Sequence, residues 1–505
     1  MYHHTRRTSR CDKMEISSIA NTVKESDGRE DPNNRRISIP DDSSEMDDTF
    51  VNVDNSLVEE STPPDKHELS PPDGGWGWVI VFSSLMVHII LFGIEKSSGI
   101  FYLKFQEKFH QTAAATAWMT TVPGVLRTML GPVCSVLITR YSCRSVTIVG
   151  AVLFGLSLLL TSFATELIMS ICSFSILGGI GMCLVYSPAV IVVNQYFTTR
   201  RGLALGIATS CIGSFLFPNM IDFLFEFYGF LGAFLVLAGI TWNIVVCGSL
   251  FRPLMTENTN KRIGEINKDS QPSTQKQSIQ SRQKEIDEKA TCCKTHRGFM
   301  CNSQCKIKQL VTDSRFVTTV IALSCFSISF QSAFVFIPLY AKQINIEESK
   351  TAYTVSITIL FDGFGRIFFG AVLDIRFVKE YRISLYNLLL LLVGIASLTF
   401  PSTSTFAEMC TVCAIYGFMM GGLMSQKSVI LVDIIGLEGL PGAFGILLLF
   451  QGVGGCIGPV ISGFLKDISG SATGGFYFGG ICTISGAAIF ATANIVYYIK
   501  HKLRK

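Results

Sequence analysis

The stretch Thr351-Ala-Tyr-Thr-Val-Ser-Ile-Thr-Ile-Leu-Phe-Asp362-Gly-Phe-Gly-Arg366-Ile-Phe-Phe-Gly370 is largely apolar, yet it holds one aspartate and one arginine. A full charge at bilayer depth is expensive, so such residues face a bundle interior or a water-filled cavity and pair with one another. In a helix, the i, i+4 spacing puts Asp362 and Arg366 on one face, where they neutralise each other. A lone span has no interior for that face, so this stretch implies several packed spans. Its charged face is the first candidate for a substrate and ion site.

The rest of the chain agrees. Hydrophobic residues make up 49% of the 505 and charged residues only 16%, with a mean hydropathy of +0.41, values unusual for a soluble protein. The charges are segregated into residues 1–70 and about 256–314. The opening MYHHTRRTSRCDKMEISS has no hydrophobic core, so no cleaved signal peptide is expected and the first apolar run serves as the membrane signal. A net charge of +4 does not argue for nucleic acid. Most of the 16 cysteines are scattered through apolar runs and read as small packing residues. The polar-loop group Cys292, Cys293, His296, Cys301 and Cys305 has ligand types that suit zinc but a spacing that matches no standard finger. Reversible acylation or unpaired loop cysteines account for it better, and no metal or cofactor is expected.

A span needs roughly 20 apolar residues. Runs of that kind fall at about 77–101, 117–138, 146–165, 168–196, 202–226 and 230–252, then at 316–341, 352–375, 383–401, 407–434, 440–465 and 474–499. The runs are continuous and not alternating, so helices are expected and not a barrel. The fold class is an all-α membrane protein of twelve transmembrane helices in two six-helix halves. Its domains are a disordered tail (1–70), a first half (71–255), a central loop (256–314), a second half (315–499) and a short tail (500–505). The composition of the N-terminal tail cannot bury a core. Its acidic run DDSSEMDD (41–48) is either a phosphorylation patch or a solvated tail.

The loops orient the bundle. Arg140, Arg144, Arg200, Arg201, Arg376, Lys379 and Arg382, the central loop and the C-terminal Lys500-His-Lys-Leu-Arg-Lys505 all fall on one side if the spans alternate. By the positive-inside rule that side is cytoplasmic, with both termini inside, although Lys104, Lys108, Lys342 and Lys350 oppose it. Two halves joined by a long polar linker suggest the parallel repeats of the major facilitator superfamily. The segments Gly131–Arg140 and Gly370–Asp374 with Arg376 resemble that superfamily's glycine-plus-charge turn, with Thr139 in place of an acid in the first copy.

The first span opens with Pro71-Pro-Asp73-Gly74-Gly75-Trp76-Gly77-Trp78. Asp73 can cap the helix, the glycines let the chain turn, and the indoles suit the membrane interface. The eight residues together resemble the signature of the monocarboxylate transporter family (solute carrier family 16). The stretch Asn194-Gln-Tyr196-Phe-Thr-Thr-Arg200-Arg-Gly-Leu-Ala204-Leu-Gly206 is similar to that family's entry into its fifth span. The likeness covers residues 71–500 and includes the twelve-span layout.

This resemblance implies a membrane carrier, not an enzyme, moving a small organic monocarboxylate with a proton by alternating access in the plasma membrane. It implies substrate-binding and proton-coupling roles for Lys96, Asp362 and Arg366, and often a single-span immunoglobulin-type glycoprotein as escort. Lys96 stands eighteen residues beyond Trp78, about 27 Å from the inner interface. It either takes a proton there or snorkels to the headgroups beside Glu95. The Asp362–Arg366 pair either receives a carboxylate or locks two helices.

Departures from the family pattern mark an outlying member. Glu95 stands where the lactate carriers tend to have proline, and the N-terminal tail is long. An extra lysine, Lys427, lies in the tenth span, either as an accessory anion-binding charge or at the inner end paired with Asp433. His88 either titrates near neutral pH or is a buried, hydrogen-bonded residue. Proton-independent carriage of an aromatic amino acid, a thyroid hormone or a creatine-like solute stays open. So does a non-transporting sensor, against which the retention of all three charged positions argues.

Overall fold

A computed structural model describes residues 73–110, 113–252 and 312–503. The tail, most of the central loop and its cysteine group lie outside the described residues. Ten helices are long and apolar enough to cross a membrane, and Trp118–Met129 with Gly131–Tyr141 forms a further span bent by 50°. One of the ten, Arg201–Ser249, is 49 residues long, or about 74 Å if straight, more than twice the apolar thickness of a bilayer. It divides at Gly229, whose φ of 63° and ψ of −172° are not helical. Among the described residues twelve spans result, all helical, in the expected order.

Three local departures matter. Span 1 is expected to run to residue 101; its helix Trp76–Lys96 stops at Ser97 and a second helix, Ser98–Phe109, follows. Ser97 Oγ turns back to the carbonyl of Gly93 at 2.8 Å, a local bond that competes with the helical ladder. Span 2 bends where Pro132, in the first turn after Leu130, has no amide to give. Span 5 is discontinuous: helix Arg201–Thr209 ends, Cys211 adopts a left-handed φ of 52°, and a tight turn at Ile212–Leu216 leads into the next helix.

The signature of span 1 does not act as a helix cap. The residue before the helix is Gly75 and no side chain caps it. Asp73 reaches across to the loop between spans 4 and 5. It accepts the amides of Thr198 and Thr199 at 2.7 and 3.0 Å, and both threonine hydroxyls. Trp78 meets Phe197 edge-on at 5.2 Å, and Trp76 Nε1 donates to the carbonyl of Leu250 at 3.2 Å. The two motifs that carry the family resemblance are therefore one tertiary joint.

Partial burial opposes the charge on Asp73, but the hydrogen bonds from Thr198 and Thr199 outweigh it and hold the carboxyl at about 2 instead of 3.8. A depressed carboxylate stabilises the fold above its unfolded value and loses that contribution as pH falls toward the folded one. Asp73→Asn should lower the thermal midpoint of purified protein at neutral pH, at the low end of about 1.5–3 kcal/mol because the site is partly wet. It should also flatten the acid loss of stability between pH 3.8 and about 2. An unchanged melting profile across that window would remove this role.

Glycines set the seam between the halves. A Cβ on Gly131 of span 2 would fall 2.7 Å from the carbonyl oxygen of Gly445 in span 11, and one on Gly445 equally close to that of Gly131. Gly370 of span 8 meets the backbone of Gly202 in span 5 in the same way. These contacts lie toward the ends that carry the arginine-rich loops. Polar bonds reinforce them: Asp374 Oδ2 accepts the Leu203 amide at 2.8 Å, Gln426 Nε2 donates to the Gly202 carbonyl at 3.1 Å, and Asn194 Nδ2 donates to Ser428 at 3.2 Å. Two of the charges used for orientation are not free loop charges: Arg382 is 2% exposed and bonds Asp374 and Asp433, and Arg201 is buried with its Nε on the Phe197 carbonyl. The structure is thus closed at its arginine-rich end.

Candidate functional site

Asp362 and Arg366 are held on span 8 by the i, i+4 register. Arg366 Nε donates to Oδ1 at 3.1 Å and Nη2 to Oδ2 at 2.9 Å, so one guanidinium edge is closed by both carboxylate oxygens. The residues are 3% and 8% exposed. The remaining nitrogen, Nη1, donates to the Thr209 carbonyl at 2.6 Å and faces Cys211 Sγ at 4.0 Å. Thr209 ends the first piece of span 5, so the guanidinium sits at the carbonyl end of a broken helix, where the dipole favours a cation. This ligation was invisible in the sequence, because the break leaves no proline or charge at residue 209. Glycine explains the close fit. A side chain at Gly421 of span 10 would strike the Asp362 carbonyl and come within 2.9 Å of the Arg366 amide.

Lys96 is the last helical residue of span 1 and is half-buried. Asp362 and Glu95 act on it as favourable charges and Arg366 as an opposing one. It makes no hydrogen bond or ion pair among the described residues, which leaves its ammonium open. The structure therefore brings Lys96, Asp362 and Arg366 into one electrostatic neighbourhood. It leaves the signature residues, Asp73 to Trp78, at the opposite end of span 1.

Glu95 does not form an ion pair with its neighbour Lys96 among the described residues. Its Oε1 accepts from Arg127 Nη2 of span 2 at 3.0 Å. Arg127, 8% exposed, lies 5.3 Å from the Phe92 ring centre and 5.0 Å from that of Tyr186. The sequence reading passed over Arg127, although an arginine inside the run 117–138 is as anomalous as Arg366. It was missed because no acid stands one helical turn away.

Lys427 is 5% exposed, and its ammonium donates to Gln451 Oε1 of span 11 at 3.1 Å. Asp433, its alternative partner, is engaged by Arg382 at 3.0 Å. His88 is 1% exposed, with Nδ1 2.7 Å from the Ser84 carbonyl and its ring against Phe92 and Tyr186. The histidine is a buried, hydrogen-bonded one.

Comparison with known proteins agrees with this architecture. Residues 80–426 match the Major Facilitator Superfamily model. Monocarboxylate transporter 12 of Mus musculus is 31% identical over 438 residues, covering 85% of this chain and 88% of the relative. Monocarboxylate transporter 14 of Homo sapiens is 27% identical over 495 residues, covering 88% and 96%. Among solved structures, the E. coli fucose:proton symporter FucP superposes with a TM-score of 0.61 at 12% identity, over 83% of this chain and 99% of that one. The proton:xylose symporter XylE, bound to 6-bromo-6-deoxy-D-glucose, gives 0.61 at 12% identity over 82% and 94%. At such identities the two structures speak for the fold alone. A twelve-span bundle in two halves, matched along most of its length, makes this chain a membrane transporter belonging to the monocarboxylate transporter family of the Major Facilitator Superfamily.

Proposed function

We propose that this transporter moves small organic monocarboxylates together with a proton across the plasma membrane, by alternating access, with both termini cytoplasmic. The observation that carries the reading is the closed fork of Arg366. With its Nε/Nη2 edge closed on Asp362 and Nη1 on the Thr209 carbonyl, the guanidinium cannot offer that bidentate edge to a substrate until Asp362 lets go. A proton on Asp362 weakens both of its bonds and frees a planar pair of donors whose geometry fits a carboxylate. Lys96, unpaired and within the field of Asp362, is positioned to pass that proton inward from the outer mouth. The halves then part along the glycine seam, and proton and substrate leave at the arginine-rich end. A small substrate, a proton, membrane lipid and an immunoglobulin-type escort glycoprotein are the partners this reading calls for.

One observation favours a second reading. Glu95 Oε2 has no partner among the described residues, and its side chain is 26% exposed beside Lys96. A carboxylate so placed suits a substrate that also carries a cationic group, such as an amino acid or a creatine-like solute moved without a proton.

Uptake of labelled pyruvate and of a labelled zwitterion into intact cells at two external pH values separates the readings. Proton coupling predicts faster pyruvate uptake at the lower pH, and Lys96→Gln should abolish that pH response while the protein stays at the surface. An unchanged pH profile in Lys96→Gln would mean that Lys96 carries no proton. In the same cells, a terminal tag that stains without permeabilisation would reverse the orientation.

A further inference from the structure

The interior holds more positive charge than the proposed cycle uses. Among the described residues four interior cations, Lys96, Arg127, Arg366 and Lys427, face two carboxylates, and both carboxylates are taken. Glu95 bonds Arg127 at 3.0 Å and Asp362 bonds Arg366 at 2.9 Å. Lys427 is the most buried cation left over. Its hydrogen-bond partners are neutral, the Gln451 amide at 3.1 Å and the Tyr186 hydroxyl, and the ring centres of Tyr186 and Phe444 lie 5.8 and 5.7 Å away. Arg127 lies against the same Tyr186 ring, and its buried Nε has no partner among the described residues. A buried ammonium without a counter-ion is costly. Two aromatic faces soften that cost but supply no negative charge.

The position is also a joint. Lys427 belongs to span 10 and Gln451 to span 11 of the second half, while Tyr186 belongs to span 4 of the first. Span 10 carries Lys427 two residues beyond Ser425, whose hydroxyl bonds the Arg366 carbonyl at 3.4 Å. The fields of Arg366 and Lys427 reach one another.

We infer that Lys427 is a second anion-binding position, which receives, between the rings of Tyr186 and Phe444, a second acidic group of the substrate. The inference rests on the carboxylate reading and extends it from monocarboxylates to carboxylates with a second acidic group. The first carboxylate would go to Arg366 and the second to Lys427.

The test compares pyruvate with succinate as probes of the full-length carrier, by competition against labelled uptake and by thermal shift of purified protein. In the wild type, succinate should compete at a lower concentration than pyruvate. Lys427→Gln should weaken succinate by about ten- to hundredfold, the range for one charge-assisted hydrogen bond, with a change of only about threefold for pyruvate. Lys427→Arg should retain the preference for succinate. Equal losses for both probes would overturn the inference, since Lys427 would then serve the single carboxylate or the fold. Pyruvate binding without any advantage for succinate in the wild type would overturn it as well, even if the variants fail to reach the membrane. Binding of neither probe would remove the carboxylate reading itself, and this inference with it.

Discussion

Arg366→Lys is expected to abolish carboxylate transport at ordinary substrate concentrations while leaving the amount of folded protein near normal. Lysine keeps the positive charge but cannot close a fork on two oxygens, so a bound carboxylate should lose about 1.5–3 kcal/mol. Asp362→Asn should remove the dependence of uptake on external pH, since the proton acceptor is gone and Arg366 loses its counter-ion. The exchange Asp362→Arg with Arg366→Asp distinguishes a binding role from a purely structural pair. A structural pair predicts poor expression of each single variant and recovery of folding and transport in the double one. A binding site predicts normal expression and no full recovery, because the exchanged arginine stands one turn away from the Thr209 carbonyl that now holds Nη1 at 2.6 Å. Full recovery of transport in the exchanged protein would sink the role given to Arg366.

Gly131→Val is expected to disable the carrier from a place that touches no substrate. Even the first carbon of a side chain there would lie 2.7 Å from the Gly445 carbonyl oxygen and 2.9 Å from Leu448 Cβ. Overpacking of that kind costs about 1–3 kcal/mol. The cost falls only on the state closed at the arginine-rich end. Since the two states of a carrier differ by a few kcal/mol, such a bias shifts their ratio by about five- to 150-fold. Uptake should fall steeply. A cysteine introduced at Ser135, which is 7% exposed beside Gly445, should become reactive to an impermeant thiol reagent applied from the arginine-rich side. Normal uptake with unchanged reactivity would show that this seam does not close the pathway.

How much of this was legible beforehand follows the range of each interaction. Asp362 and Arg366 were found because their partnership is four residues long and periodicity alone reveals it. Lys96 came from resemblance. Arg127 and Glu95 are 32 residues apart on different spans, and nothing in either stretch points to the other. Asp73 suggests a cap because a carboxylate three residues before the first helical residue has local donors within reach; the fold instead offers it two amides from the loop after span 4, 125 and 126 residues away. The break in span 5 was missed because Ser210 and Cys211 are compatible with a helix, and only the packing of Arg366 against the Thr209 carbonyl gives the interruption a use.

By itself the sequence determined the twelve spans, the two halves and the one local charge pair. Each depends on a stretch of about twenty apolar residues or on a single helical turn, and both are properties of contiguous chain. Only the tertiary structure decided which charges are paired and which are left over. Arg382 takes both Asp374 and Asp433, Arg127 takes Glu95, and Lys427 is left with the neutral Gln451 amide and Tyr186 hydroxyl and two rings. In an interior with few counter-ions, that assignment depends on which helices lie side by side. It is set by glycines at 131, 202, 370, 421 and 445, whose missing side chains let the backbones meet.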